Sequence, residues 1–95
     1  MRLALYASTA GSAAPNLVAL QDERLTALPT VLVCPLRAGM ALTGLRVELP
    51  WGDHLLTACP ELARPIRRSA LHPKGWLDEL RSQQIMDCFQ RLLAR

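Results

Sequence analysis

The sequence is poor in aromatic residues and has no long apolar run. Only two Trp, one Tyr and one Phe occur among its 95 residues, although 51% of the residues are hydrophobic. Aliphatic side chains must therefore supply most of the core, and a chain of this length builds a single core, so we expect one domain over residues 1–95. No apolar stretch is long enough to span a bilayer. We therefore expect a cytoplasmic protein with no membrane partner.

Cysteine is also scarce and widely spaced. Cys34, Cys59 and Cys88 form no Cys-x-x-Cys pair, and no histidine cluster lies near them. This pattern fits neither a disulfide framework nor a zinc site. We expect each cysteine to be a small buried apolar residue, and we expect no metal or other cofactor.

Positive charge is concentrated in the last third of the chain. Residues 1–63 contain four basic and five acidic residues, whereas residues 64–95 contain seven basic and three acidic residues. A basic region attracts nucleic acid or an acidic partner protein through its long-range field. The overall charge of +3 is modest, and no aromatic residues alternate with the arginines to stack on bases. Direct nucleic-acid binding is therefore the less favoured interpretation.

Hydrophobic patterns predict several short strands, at residues 2–8, 17–20, 31–34, 45–49, 55–59 and 66–69. The continuous apolar run at 31–34 is typical of a strand covered on both faces, which we expect at the centre of the sheet. Apolar and charged residues alternate at 45–49, which indicates a half-buried strand. The segment at 50–53 contains Pro and Gly and predicts a hairpin connection. Pro65 would place the strand at 66–69 at an edge.

The remaining segments predict connections and one helix. Residues 22–28 favour a helical turn that Pro29 ends, and residues 37–43 favour a loop. After Gly75 the apolar period changes from two to between three and four residues. The predicted buried face of this helix consists of Leu77, Leu80, Gln84, Ile85, Cys88, Phe89 and Leu92.

These elements predict a mainly β fold of the α+β type. We expect a small, partly open β-barrel of five to seven short strands, with one C-terminal helix packed against it. The apolar content is high for so small a chain. Part of that apolar surface is expected in a subunit interface, and a symmetric homodimer is the simplest arrangement.

The segment from residue 17 to residue 36 also carries a family resemblance. It contains Leu-Val-Ala-Leu-Gln-Asp at 17–22, then Pro29, then Val-Leu-Val-Cys-Pro-Leu at 31–36. This order is similar to the Leu-x-Val-x-x-Gln-x-Asp, Pro and Val-x-Pro-Leu order of the CcdB toxin family of bacterial toxin-antitoxin modules. Later segments follow the family's order of elements: Leu-Arg-Val-Glu-Leu at 45–49, Gly52-Asp53, Cys59-Pro60, the segment at Ile66 and the final helix with Ile85. The resemblance covers nearly the whole chain.

The resemblance implies a homodimer with an SH3-like barrel, related in fold to the MazF and PemK ribonucleases. Members of the CcdB branch are not enzymes, and they poison DNA gyrase by trapping its A subunit in the cleavage complex. A CcdA-like antitoxin neutralises the toxin, and operator DNA is bound only through the toxin-antitoxin complex. The resemblance therefore also implies roles in plasmid maintenance and transcription regulation.

The resemblance assigns two binding surfaces and no catalytic residue. The implied gyrase-binding surface is the end of the last helix, with Gln90, Leu93, Ala94 and Arg95. The implied antitoxin-binding surface comprises Arg24, Leu25, Gln90 and Leu93.

The sequence departs from the family at both surfaces. The best-known members carry Trp-Gly-Ile at the helix tip, whereas this sequence has Ala94 and Arg95 at the positions of Trp and Gly. Loss of a buried aromatic anchor costs about 2 kcal/mol or more at an interface. An apolar pair in the family's turn corresponds to Arg24 and Leu25, so half of that patch is charged. These departures leave open a toxin-fold protein that binds an antitoxin and acts as a co-repressor without poisoning gyrase.

A MazF/PemK-like ribonuclease is the enzymatic alternative. Such an enzyme needs an arginine beside a hydroxyl residue, to stabilise the developing phosphorane and to move a proton. Ser8, Thr9 and Ser12 lie in the first loop, but that loop contains no arginine. Histidine titrates near neutrality, which makes His54 and His72 the candidate acid and base. They are far apart in sequence and have no surrounding motif, so a surface or capping role is the simpler interpretation.

Overall fold

Seven strands and one helix make up the described part of the chain in the computed structural model, which covers residues 1–21, 28–39 and 45–94. The elements are β1 (Ala4–Ala7), β2 (Leu17–Ala19), β3 (Thr30–Arg37), β4 (Val47–Trp51), β5 (His54–Ala58), β6 (Arg64–Arg67), β7 (His72–Trp76) and helix α1 (Glu79–Leu93). Short 3₁₀ turns lie at Pro60–Leu62 and Arg68–Ala70. The predicted class, mainly β with one helix after the strands, is confirmed.

Strand β3 lies at the centre of the sheet, as its apolar run predicted. One edge pairs with β2, and the opposite edge pairs first with β6 and then with β5. Pro35 lies where that second edge changes partner, between Val33 opposite β6 and Leu36 opposite β5. Proline has no N–H to donate to a strand ladder. The carbonyl of Pro35 faces the same edge and accepts a bond of 3.1 Å from the Cys59 backbone N–H.

The sheet curls into a half-barrel. Strands β6, β3, β2, β1 and β7 are neighbours in that order, so β6 and β7 lie at its two ends. Only residues 68–71 join these ends, and three of them form a 3₁₀ turn. Five Cα–Cα steps span at most about 19 Å, and the 3₁₀ turn shortens that reach because it rises only about 2 Å per residue. A flat sheet of five strands is about 19 Å wide. A connection this short can therefore join β6 to β7 only if the sheet curls.

Apolar side chains cover both faces of this sheet. The cluster on the helix side contains Leu3, Leu5, Val18, Leu20, Cys34, Leu36, Val47, Leu49, Leu56, Ala58, Leu77, Ile85 and Cys88. The cluster on the opposite side contains Ala4, Tyr6, Leu17, Ala19, Val31, Val33 and Leu71, with Ile66 packed against it. Neighbouring residues of a strand point to opposite faces, which explains why successive residues of β1 enter different clusters.

The predicted hairpin is confirmed, although its strands are shifted by one or two residues toward the turn. Strands β4 and β5 pair from Val47 opposite Ala58 to Trp51 opposite His54, so the connection is only Gly52 and Asp53. Gly52 has a φ of +58°, a conformation that glycine adopts without strain. The β4 burial pattern confirms the predicted alternation, because its inward residues are buried and Glu48 is exposed.

Other strand boundaries differ from the predicted ones. The predicted edge strand begins two residues earlier, at Arg64, and among the described residues it pairs only with β3. Strand β7 was not predicted, and it contains Pro73 and Gly75, two residue types that are uncommon in strands. It forms because β1 supplies an antiparallel partner, and the register shift between Leu5 and Tyr6 accommodates the irregular segment. The predicted turn at 22–28 and the loop at 37–43 fall mostly outside the described residues.

The helix is rotated relative to the predicted buried face. Leu80 is 67% exposed and Gln84 is exposed, so both assignments were wrong. Ser82 is buried instead, and its Oγ accepts a bond of 2.9 Å from the Leu3 backbone N–H. This bond orients the first turn, so that Ile85 points into the core. The pattern of apolar residues does not indicate that a serine in this position is buried.

Substitutions on this helix test the rotation. Ile85→Ala should lower the free energy of unfolding by about 2–5 kcal/mol, because Ile85 is fully buried and a cavity would remain. Leu80→Ala truncates a similar side chain that is exposed to solvent, and it should change the free energy of unfolding by less than about 0.5 kcal/mol. Urea denaturation of both variants measures the difference, and equal losses would contradict the observed orientation.

Candidate functional site

The last turn of α1 holds the described part of the predicted binding surface. Gln90 and Ala94 are exposed, and Leu93 is 69% exposed. Gln90 and Leu93 are three residues apart and therefore lie on the same face of the helix. Arg95 lies outside the described residues, as do Arg24 and Leu25 of the predicted antitoxin-binding turn.

Hydrogen bonds at its first turn hold this helix in a defined direction. Asp78 is the N-cap, and its carboxylate accepts a bond of 2.7 Å from the Arg81 backbone N–H. The Arg81 guanidinium also donates to it, at 3.1 Å. Both bonds lower the pKa of Asp78, the backbone bond most strongly. Just before the helix, the Leu77 backbone N–H donates at 2.9 Å to the carbonyl of Leu3, the residue before β1.

Packing along the inner side of the helix determines which residues face solvent at its end. Cys88 is buried in the helix-side cluster, and Phe89 packs against that cluster. Leu92 is half-buried. The Ala94 backbone N–H donates to the Gln90 carbonyl at 3.1 Å, which closes the last turn. Leu93 is therefore presented to solvent on a helix whose other side is anchored.

A groove of about 300 Å³ lies between the start of β4 and the same helix. It is lined by Arg46, Val47, Glu48, Gln84, Asp87, Cys88 and Arg91. The lining contains two basic and two acidic side chains, while Val47 and Cys88 are buried. Arg46 Nε donates to Glu61 Oε1 at 2.7 Å, and Asp87 accepts from Gln83 Nε2 at 2.8 Å. These bonds hold the charged rim in place beside the exposed end of the helix.

Sequence reasoning missed this groove. The charged residues on either side of Val47 were used only as a sign of strand alternation. The part of the helix that packs beside them is about forty residues away in sequence, and no local pattern reports that proximity.

The cysteines are buried, as predicted. Cys34, Cys59 and Cys88 are all free thiols. Burial raises the pKa of Cys34 to about 12, and the nearby Cys59 thiol adds to this effect. Burial also raises the pKa of Cys59. Both thiols are therefore protonated at neutral pH, and a protonated thiol is a poor nucleophile.

Among the ribonuclease candidates, His72 lies opposite Ala7 and so close to Ser8, whereas His54 lies on a strand that does not neighbour β7. Ser8 and Asn16 bond to each other, through the Ser8 backbone N–H at 2.9 Å and through the Ser8 hydroxyl at 2.8 Å. The Ser12 hydroxyl donates to a backbone carbonyl in the same loop. His54 begins β5 and His72 begins β7, and strands β3, β2 and β1 lie between those two in the sheet. The two histidines therefore do not form an acid-base pair on neighbouring strands.

Neither the scan against protein-family models nor the search of curated proteins gives a match to this chain. Within the described ranges, α1 is too short and too polar to cross a bilayer. The functional argument therefore depends on the residues that resemble the CcdB family and on the geometry around α1.

The raised pKa of Cys34 predicts a loss of stability in alkali. Above pH 9.0, its ordinary pKa, the unfolded thiol ionises while the folded thiol keeps its proton up to about pH 12. The unfolded state then binds fewer protons, so the free energy of unfolding falls by about 1.4 kcal/mol per pH unit in that window. The Cys34→Ala variant has no thiol at this position, so its stability lacks this pH dependence. The stability difference between wild type and variant should shrink by about 2 kcal/mol from pH 9 to pH 10.5 in urea denaturation, and a constant difference would contradict burial of the thiol.

Proposed function

We propose that this chain is the toxin of a bacterial type II toxin-antitoxin module, a CcdB-like protein that poisons DNA gyrase through the exposed end of α1. The observation that carries the proposal is Leu93, a large apolar side chain that is 69% exposed on the last turn of an anchored helix. Gln90, on the same face, supplies a polar neighbour. The resemblance assigns these same positions to the gyrase-binding surface.

The geometry suits a contact between proteins better than catalysis. Exposed apolar side chains on rigid elements serve as anchors at protein interfaces. The inner side of α1 is fixed by Ile85 and Cys88 in the core, so binding would order little additional chain. Ordering costs reduce affinity, and a rigid helix end avoids most of them. The proposal accordingly assigns no catalytic residue.

The remaining parts of the proposal follow from the resemblance. The chain acts in the cytoplasm as a homodimer with an SH3-like barrel, and a CcdA-like antitoxin neutralises it by covering Gln90 and Leu93 together with Arg24 and Leu25. Operator DNA is bound through the toxin-antitoxin complex. The order of elements supports this, because the segments that resemble the family fall on β2, β3, β4, the β4–β5 turn, β6 and α1.

Expression in a gyrase-dependent host tests the function. Induction of the chain alone should arrest growth and produce double-strand DNA breaks that depend on the gyrase A subunit, because a poison traps the cleaved complex. Colony counts and DNA-break assays measure both effects. Normal growth with abundant folded protein would instead support the antitoxin-binding co-repressor. Cleavage of RNA by the purified protein would support the ribonuclease.

Two exposed leucines at opposite ends of α1 allow a test of whether the proposed binding surface is specific. The same change to arginine is made at each position, so that general effects of added charge are the same in both variants. Leu93→Arg should abolish breaks, because a charge replaces the apolar anchor at the proposed contact. Leu80→Arg is the matched control, since Leu80 is 67% exposed at the other end of the helix and Leu93 is 69% exposed. The control should retain toxicity. Toxicity in both variants, or its loss in both, would exclude the end of α1 as the specific contact.

The oligomeric state is a separate prediction. The apolar surplus in the sequence and the family resemblance both favour a homodimer. Sedimentation equilibrium of the purified protein should give twice the monomer mass of 10.5 kDa. A monomer at micromolar concentration would contradict this part of the proposal and leave the expression test unaffected.

A further inference from the structure

Three strands have a free edge within the described part of the sheet. Among the described residues, β4 pairs only with β5, β6 only with β3 and β7 only with β1. A free strand edge carries backbone N–H and C=O groups that can pair with a strand of another chain. Each of these strands contains one proline, and we call Pro50 in β4, Pro65 in β6 and Pro73 in β7 the edge prolines.

Pro65 faces the free edge of β6. Just after this strand, the Arg68 backbone N–H donates to the Pro29 carbonyl at 2.9 Å, so Arg68 faces the chain that enters β3. The pairing with β3 is regular from Arg64 to Arg67. The backbone groups of successive residues in an antiparallel strand point to alternate edges. Pro65 and Arg67, at odd separations from Arg68, therefore face away from β3.

Pro73 faces the free edge of β7. Its partner in β1 is Tyr6. The Tyr6 carbonyl accepts a bond of 3.0 Å from the Asn16 backbone N–H, on the side of β2. Tyr6 therefore directs its backbone groups away from β7, and Pro73 opposite it directs its own away from β1.

The turn of the β4–β5 hairpin places Pro50 at a free edge as well. The turn has two residues, and Trp51 and His54 on either side of it are paired. The closing pair of a two-residue hairpin is hydrogen-bonded across the turn, so Trp51 faces β5. Pro50, one residue earlier, therefore faces the free edge, and so does Glu48.

Other features of these strands also oppose pairing with a further strand. Glu48 in β4 and Arg67 in β6 are exposed charged residues. In β7, the register shift leaves Lys74 without a partner between Pro73 and Gly75. A bulge of this kind bends a strand and disrupts its ladder. Proline, charge and bulges are the features by which natural sheets keep their edges from pairing with other chains.

We propose that the edge prolines prevent this chain from pairing its sheet edges with another chain, so that its partners dock on side-chain surfaces and do not add a strand. A proline lacks the N–H that an added strand would need as a donor. Each of these short edges loses one of its few outward N–H groups in this way. This applies to any partner, including a second copy, so it is independent of the proposed toxin function.

Hydrogen exchange in the wild-type protein tests the orientation. The Arg67 and Trp76 backbone N–H groups should exchange rapidly, because both face a free edge. Trp76 does so because the next N–H, that of Leu77, donates to the Leu3 carbonyl of the neighbouring chain segment. The Ile66 N–H faces β3 and should exchange at least about tenfold more slowly. Slow exchange at Arg67 and Trp76 in deuterium-exchange NMR would show that these edges are paired with another chain and would overturn the proposal.

A triple variant restores the missing N–H groups. Pro50→Thr, Pro65→Thr and Pro73→Thr together add one donor to each free edge, and threonine favours strands. At equal protein concentration, sedimentation velocity should give an average mass at least about twice that of the wild type, since one edge contact joins two molecules. Exchange at the Arg67 and Trp76 N–H groups should slow at the same time.

Pro29→Thr is the matched control. Pro29 is exposed, but it faces a paired edge, because its carbonyl accepts the Arg68 N–H. This variant should keep the mass of the wild type. Thermal unfolding checks that the variants are folded, and the three single variants replace the triple variant where its folding fails. Equal masses for the folded edge variants and the wild type would overturn the proposal. A larger mass with rapid exchange still at Arg67 and Trp76 would also overturn it, because the new contact would then lie away from the edges.

Discussion

The structure depends on the way one strand, β3, is shared by two groups of strands. On one edge its residues 33–35 pair with β2, and on the other edge residues 30–33 pair with β6 and residues 36–37 pair with β5. The change of partner occurs at Pro35, whose missing N–H faces the edge where one partner ends and the next begins. No ladder bond to β2 is lost there, because the Leu36 N–H donates to the Asn16 carbonyl on the other edge at 2.8 Å. A proline that would weaken most central strands is therefore compatible with this one.

This shared strand determines where the helix packs. Because β5 branches from the end of β3, the β4–β5 hairpin extends the curled sheet and forms a wall on the helix side. The helix lies against that wall, with Val47 and Leu49 of β4 in the same cluster as Ile85 and Cys88. The inner side of α1 is thus covered along most of its length. The outer side of its last turn remains free for a partner, which is the geometry that the proposed toxin function requires.

The end of α1 combines exposed apolar area with charges of both signs. An exposed leucine lies on its last turn, and the groove beside the helix is lined by two acidic and two basic side chains, of which Arg46 pairs with Glu61 outside the lining. This surface suits a partner of mixed charge.

The sequence by itself determined the features that depend on local pattern. Alternation and apolar runs predicted most strands, Gly52 predicted the hairpin turn, and the isolated cysteines were expected in the core. The excess of positive charge after residue 63 was also visible in the composition. Tertiary structure alone decided the features that join distant residues. Strand β7 forms only because β1 pairs with it, and the helix face is set by a bond between Leu3 and Ser82, which are 79 residues apart. Hydrophobic periodicity carries no information about such polar contacts, since their stabilisation arises only once the two segments are brought together.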